Sequence, residues 1–238
     1  MNFMKSRNIA RLLRRMFKGF LKKDILLFPD CRIDFELLGT DYGSWPVINS
    51  IIQDAVVIYS FGIGDDISWD LAIIEKFKVK VHAFDPTSKC KLWLNSIELP
   101  HDFVYHDIGL SDHNGFQEFV PPDNEKHVSF SIVKKDSEKK SEMFKVSSLD
   151  QIMKCLGHQV INVLKMDIEG AEYNVLNDMM TKNIFPCVLM VEFHHRFVEV
   201  GMQKTIDTVS TLKTNGYCIF YVSPNGEEIG FIQKSAVE

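Results

Sequence analysis

Val56-Val57-Ile58-Tyr59-Ser60-Phe61-Gly62-Ile63-Gly64-Asp65-Asp66 is the stretch whose reading decides the fold. Val56, Val57 and Ile58 form a short apolar run, the pattern of a strand buried on both faces. Phe61 to Gly64 turns the chain, and Trp69, Ala72, Ile73, Lys76 and Phe77 then recur at helical spacing. Strand, glycine turn and helix make the front half of a nucleotide-binding βα unit. A glycine lets backbone come close to a ligand, and a helix N-terminus offers unpaired N–H groups. A second strand, Val79 to Phe84, ends at Asp85, 21 residues after Gly64. An acid that binds ribose hydroxyls is expected at that distance. The third glycine of a dinucleotide fingerprint is missing, so a plain βα turn remains the alternative.

Upstream, residues 1–23 hold eight basic side chains and no acid, while the remainder holds nineteen basic against thirty-two acidic, within a net charge of −5. An acidic body argues against nucleic-acid partners, because phosphate contacts need a basic face. Ile9, Leu12, Leu13, Met16, Phe17, Phe20 and Leu21 fall on one helical stripe, with Arg7, Arg11, Arg14, Arg15, Lys18 and Lys22 on most of the rest. Such a helix either lies on an anionic membrane surface through residues 5–23 or packs across the domain with its charges solvated. We expect residues 1–46 to be this helix plus a connector, and residues 47–238 to be one α/β domain. Tyr42-Gly43-Ser44-Trp45, in the connector, either close over a ligand's adenine or methionine moiety or cap the core. No run of 18 apolar residues exists and no signal-peptide core is present, so a spanning helix is not expected. Five cysteines without Cys-x-x-Cys spacing argue against a metal cluster or disulfide framework and favour a reducing, cytoplasmic setting, soluble or at a membrane periphery, with an extracytoplasmic setting and one or two bridges as the alternative.

Downstream, strands and helices alternate. Pro86 is expected near the first turn of a helix running to Leu94. Phe103 to His106 reads as a third strand ending at Asp107, and Gly109 to Asp112 as a turn leading to a hairpin strand, Phe116 to Val120. Pro121 to Lys140 is polar and charge-rich, a surface loop with a short strand near Val128 to Val133, and either a lid or an insertion. Met143 to Val146 is a strand, and Ser147 or Ser148 caps a helix from Leu149 to Leu156. Val160 to Met166 is a buried strand delivering Asp167, and Glu169 to Glu172 opens a helix through Met180. Val188 to Val191 delivers Glu192, Phe193, His194 and His195. Ile206 to Lys213 is helical, and Tyr217 to Val222 with Ile229 to Gln233 forms a terminal hairpin. This order predicts a mostly parallel sheet with one antiparallel strand near its edge, and a ligand beyond the carboxyl ends of the strands. Gly62/Gly64, Asp85, Asp107, Asp167 and Glu192/His194 should gather there. Lys165 is the expected ion-pair partner of Asp167, and at most one of His194 and His195 should face the pocket.

Lys165-Met166-Asp167-Ile168-Glu169-Gly170-Ala171-Glu172 resembles the Lys-x-Asp-x-Glu-Gly-x-Glu signature of the FkbM-type S-adenosylmethionine-dependent methyltransferases. Gly109-Leu110-Ser111-Asp112 resembles that family's Ala-Leu-Ser-Asp segment, and Ser147-Ser148-Leu149-Asp150 its Thr-Leu-Asp element. Tyr59 to Asp66 with His82 to Pro86 looks nearest the animal methyltransferase-like branch. The resemblance covers roughly residues 40–234. It implies a class I methyltransferase (Rossmann-like) α/β fold: seven strands in the order 3-2-1-4-5-7-6, the seventh antiparallel, helices on both faces. It implies S-adenosylmethionine at the glycine turn, with a small-molecule or sugar hydroxyl as acceptor. Cofactor contacts then fall to Ser60, Gly62, Gly64, Asp66, Asp85, Asp107 and Ile108. Ser60 stands where many class I enzymes carry an acid, so the methionine ammonium must find Asp66 or Asp167 instead. For proton removal from the acceptor, Asp167 or His194 serves as general base, or Asp167 and Glu192 hold a divalent cation that acidifies the hydroxyl. A non-catalytic binding protein that keeps the fold is the rival reading, motivated by Ser60. A nicotinamide dehydrogenase fits the glycine turn and Asp85 but not the Lys165–Glu172 signature.

Overall fold

A computed structural model describes residues 2–21, 23–52, 56–119, 141–197 and 199–237, with side chains from residue 9 onward. The chain begins with α1 (Asn2–Phe20), β1 (Glu36–Leu38) and β2 (Trp45–Val47). The glycine-turn unit follows as β3 (Ile58–Phe61), α2 (Ser68–Phe77), β4 (Val81–Phe84), α3 (Ser88–Leu94) and β5 (Phe103–His106). Next come β6 (Gly109–Leu110), β7 (Gly115–Phe119), β8 (Glu142–Ser147) and α4 (Leu149–Leu156). The second half is β9 (Val163–Met166), α5 (Glu172–Thr181), β10 (Val188–Glu192), α6 (Gly201–Thr214), β11 (Tyr217–Val222) and β12 (Glu228–Gln233).

Seven strands form one sheet in the order β11-β12-β10-β9-β3-β4-β5. Numbered by their rank within this sheet, that is 3-2-1-4-5-7-6 read from β5, as the resemblance implied. β3, β4, β5, β9 and β10 pair in parallel, while β12 runs antiparallel to both β10 and β11. Side chains alternate across this sheet, as the two-residue period of a strand requires. Tyr59, Phe61, Leu164, Met166, Leu189 and Val191 point to the face covered by α4, α5 and α6. Ile58, Val81, Ala83, Val163 and Met190 point to the face covered by α2 and α3. Both faces are dry, which explains the unbroken apolar runs in the sequence. A buried side chain such as Leu164 or Leu176 contributes ~1.5–3 kcal/mol relative to exposure.

Four expectations change. β7 does not pair with β6: both flank β8 in a separate three-stranded sheet, β6 parallel and β7 antiparallel to it. Pro86 precedes the first turn of α3 rather than occupying it. Thr87 is the N-cap, its hydroxyl accepting from the Cys90 N–H at 3.3 Å. α6 begins five residues earlier than Ile206. The division expected after residue 46 falls inside β2. Residues 121–140, where a strand was expected near Val128 to Val133, and Val120 lie outside the described residues.

Candidate functional site

The carboxyl ends of β3, β4, β9 and β10 open into a cavity of about 850 Å³. Gly62, Gly64, Asp66, Asp85, Asp167 and Glu192 all line it, as does the whole stretch Tyr42 to Trp45. The two glycines do different work. Gly62 has φ +71°, and a Cβ there would stand 1.5 Å from the Asp167 carbonyl oxygen. Its missing side chain admits the backbone leaving β9, not a ligand. Gly64 has φ +54° and nothing within 4 Å of where its Cβ would be, so it is the glycine that faces open space.

Asp85 ties this turn to the next strand. Its Oδ2 accepts from the Gly64 N–H at 3.0 Å, and its Oδ1 accepts from the Thr87 N–H at 2.9 Å and the Thr87 hydroxyl at 2.5 Å. Burial pushes the Asp85 carboxyl above the usual carboxylate range, against the hydrogen bonds from Thr87 and Gly64. Oδ1 is committed to Thr87, so further acceptor capacity lies on Oδ2, beside Gly64. Asp66 is spent on structure. It accepts from Thr40 Oγ1 at 2.7 Å and from the Ser68 N–H at 2.8 Å, pinning the Thr40–Gly43 loop to the start of α2. Those bonds outweigh its burial and hold its pKa low.

Ser60, Asp107, Ile108 and His194 do not line the cavity. Ser60 is wholly buried within β3, close to the fully buried Asp70. Asp107 is half-exposed and pairs with Lys91 at 2.5 Å. Ile108 packs against the core, and the chain reaches the cavity two residues later, at Gly109 and Leu110. Lys165 does not pair with Asp167. Its ammonium sits 5.3 Å over the Trp45 ring and acts on Asp66 and Asp70.

Asp167 and Glu192 form the far wall. His194 stands behind the lining, its Nδ1 2.7 Å from Glu172 Oε1, its Nε2 3.4 Å from Glu169 Oε2 and 3.8 Å from Asp167 Oδ1. Burial alone would lower its pKa. Glu172, Asp167 and Glu169 outweigh that and raise it well above the ordinary value, favouring the protonated imidazole. Glu172 is held in turn by N–H donors from Ile168 and Gly170. Burial, with the charges of Asp167 and Glu228, also pushes Glu192 far above the carboxylate range. Asp167 Oδ1 is buried and receives no hydrogen bond. Each of Asp167, Glu192 and His194 offers one ligand atom, and these lie within 4.8 Å of one another, a grouping able to take a divalent cation. His195 turns the other way, its Nε2 2.9 Å from the buried Asp24.

The family model described as Methyltransferase FkbM domain matches residues 48–219. The chain belongs to the FkbM methyltransferase family. That match holds the glycine turn, Asp85 and the Lys165–Glu172 signature within a single FkbM domain. The crystal structure of methyltransferase FkbM from Methylobacillus flagellatus KT is a similar solved structure. It shows 14% sequence identity and a TM-score of 0.47, over 75% of this chain and 44% of its own. The chain thus spans under half the length of that relative. No curated protein sequence matches the chain. Asp41 and Asp65, which sequence reading did not single out, also line the FkbM cavity. Asp65 adjoins the glycine turn, a signal that was there to use; Asp41 lies in the connector and gave none. All five cysteines are free in this structure, and the fold brings Asp30, Cys31 and Cys218 together from distant positions.

Proposed function

We propose that this chain binds S-adenosylmethionine in the cavity at Gly64 and Asp85 and transfers its methyl group to a hydroxyl of a small molecule or sugar. The observation that carries the reading is the charge of the cavity wall. Among the described residues, eight carboxyl groups line it, of which Glu192 is held protonated, against Arg11 and Lys165 as fixed cations. That surrounding suits a cofactor bearing a sulfonium and an ammonium. It opposes the pyrophosphate of a nicotinamide dinucleotide, which disfavours the dehydrogenase reading. The resemblance to the animal methyltransferase-like branch, on Tyr59–Asp66 and His82–Pro86, is part of the same proposal.

When bound, S-adenosylmethionine supplies an already activated methyl group. The chain's own residues supply position and proton removal. The open backbone at Gly64 and the free capacity of Asp85 Oδ2 receive the ribose end. Leu110, Phe84 and Pro86 offer an apolar wall for the adenine. Both oxygens of Asp66 already hold the Thr40–Gly43 loop to α2, whereas Asp167 Oδ1 has no hydrogen bond, so Asp167 is the better partner for the methionine ammonium or the acceptor hydroxyl. Asp167 lines the cavity and His194 stands behind it against Glu172, so we assign the general base to Asp167 and give His194 a positioning role. Alignment is worth ~7–11 kcal/mol in favourable cases, and a base adds roughly 100- to 10,000-fold.

Isothermal titration with S-adenosylmethionine and S-adenosylhomocysteine, with NADH as control, tests the reading. Micromolar binding of the first two, lost in Asp85→Ala, is the expected result. Absence of binding at millimolar concentration would favour the non-catalytic binding protein. Once an acceptor is found, turnover that survives a chelator but falls in Asp167→Asn assigns proton removal to that carboxylate. Turnover that needs added Mg²⁺ or Mn²⁺ assigns it to a cation on Asp167, Glu192 and His194.

A further inference from the structure

α1 is mounted inside out. A helix on the surface of a globular domain ordinarily buries its apolar stripe and leaves its charges in water. Here Ile9, Leu13, Phe17 and Phe20 are 58%, 61%, 66% and 84% exposed, and Met16 is exposed beside them. At 100° per residue these positions share one side of the helix. The side chain that enters the protein is Arg15, only 4% exposed. Its Nη1 donates to the Ser223 carbonyl at 2.9 Å and its Nη2 to the Leu27 carbonyl at 3.1 Å. Gly226 leaves the room it needs, since a Cβ there would stand 2.6 Å from Arg15 Cδ. Gly19 brings the end of the helix onto Leu26. The polar side of the helix is therefore fastened to the domain and the apolar side is presented outward.

The charges say what covers this patch. Arg11 and Arg14 are exposed and Lys18 is half-buried, and residues 1–23 contain no acid. A second copy of the chain laid on the same face would bring like charges together. The rest of the chain, nineteen basic against thirty-two acidic, is repelled by an anionic surface. Attraction at α1 and repulsion elsewhere leave one way to approach. α1 is not long and apolar enough to cross a bilayer. We propose that α1 docks the protein in the plane of an anionic phospholipid membrane, with Ile9, Leu13, Phe17 and Phe20 in the headgroup–acyl boundary and the basic side chains at the phosphates. Arg11 also lines the cavity, so docking sets the cavity mouth beside the lipid.

Co-sedimentation of the purified full chain with vesicles tests this independently of any methyl transfer. Vesicles of phosphatidylcholine doped with phosphatidylserine should bind about tenfold more tightly than phosphatidylcholine alone, and added salt should weaken that binding. Phe17→Gln/Phe20→Gln should abolish it while leaving the thermal midpoint unchanged, because both rings are exposed. Arg14→Glu/Lys18→Glu should weaken it on anionic vesicles only. Equal binding to both vesicles, or none, overturns the proposal. So does a chain that self-associates in light scattering and is made monomeric by Phe17→Gln/Phe20→Gln, for the patch then belongs to a second copy.

Discussion

A Cβ at Gly62 would stand 1.5 Å from the carbonyl oxygen of Asp167, so the turn after β3 and the turn after β9 occupy one another's space. Gly62→Ala has no room to relax against backbone and should fail to fold or lose several kcal/mol, roughly the cost of an overpacked core position plus positive-φ strain. Gly64→Ala meets nothing within 4 Å and should cost only ~1 kcal/mol for its φ of +54°. It should nevertheless weaken S-adenosylmethionine binding, because the methyl enters the cavity. Denaturant midpoints paired with titration calorimetry separate the two variants.

Arg15→Met removes the donors to Ser223 and Leu27 but keeps the bulk of the side chain. The buried Ser223 carbonyl keeps the Gly226 N–H at 3.0 Å, and the part-buried Leu27 carbonyl loses this donor, so the cost is ~1–3 kcal/mol in all. Amide hydrogen exchange should show α1 losing protection while β9 and β10 keep theirs. Unchanged protection in α1 would mean that other contacts hold the helix.

His82 should make the fold acid-sensitive. Its Nδ1 lies 2.9 Å from His106 Nε2, and burial, with His106 and His158 beside it, lowers its pKa to about 4. An unfolded histidine takes up a proton near pH 6.5. The unfolded state therefore binds more protons between these values, and stability falls as pH drops from about 6.5 to about 4. Urea denaturation at several pH values should show this slope in the parent and a shallower one in His82→Gln.

Glu192 works in the opposite sense. Its carboxyl keeps its proton in the fold, whereas an unfolded glutamate gives it up near pH 4.5. Its contribution is complete below that pH and is lost as pH rises towards the folded value. Glu192→Gln, neutral at every pH, should therefore gain stability over the parent at pH 8 relative to pH 5. An equal difference at both would show that Glu192 ionises normally.

The main sheet was legible because most of its strands are local: four to six mostly apolar residues, a turn signal and, in the parallel part, a helix. The seven-strand order came with the resemblance and matches. What local pattern does not carry is pairing at a distance. β7 finds β8 across residues 120–141, and nothing in Phe116 to Val120 announces that partner. The site divides in the same way. Gly64, Asp85 and Asp167 sit at strand ends that spacing marks. Gly109 and Leu110 replace Asp107 and Ile108 at the cavity because the chain bends once more after β5. His194 was placed in the pocket by sequence, yet Glu172, the first residue of α5, draws it behind the wall. Arg15 looked like one more solvated charge, since the sequence cannot say which side of an amphipathic helix meets the domain.

The free cysteines have a practical consequence. Burial pushes the Cys31 thiol up to about 12 and raises Cys90 and Cys187 as well, while Cys218 is buried. Cys155, in α4, is exposed. Since thiolate and access together govern alkylation, a maleimide dye should modify Cys155 first. The natural chain thus carries a ready fluorescent reporter, and a quencher placed in the lipid would read how the docked protein is tilted without a single substitution.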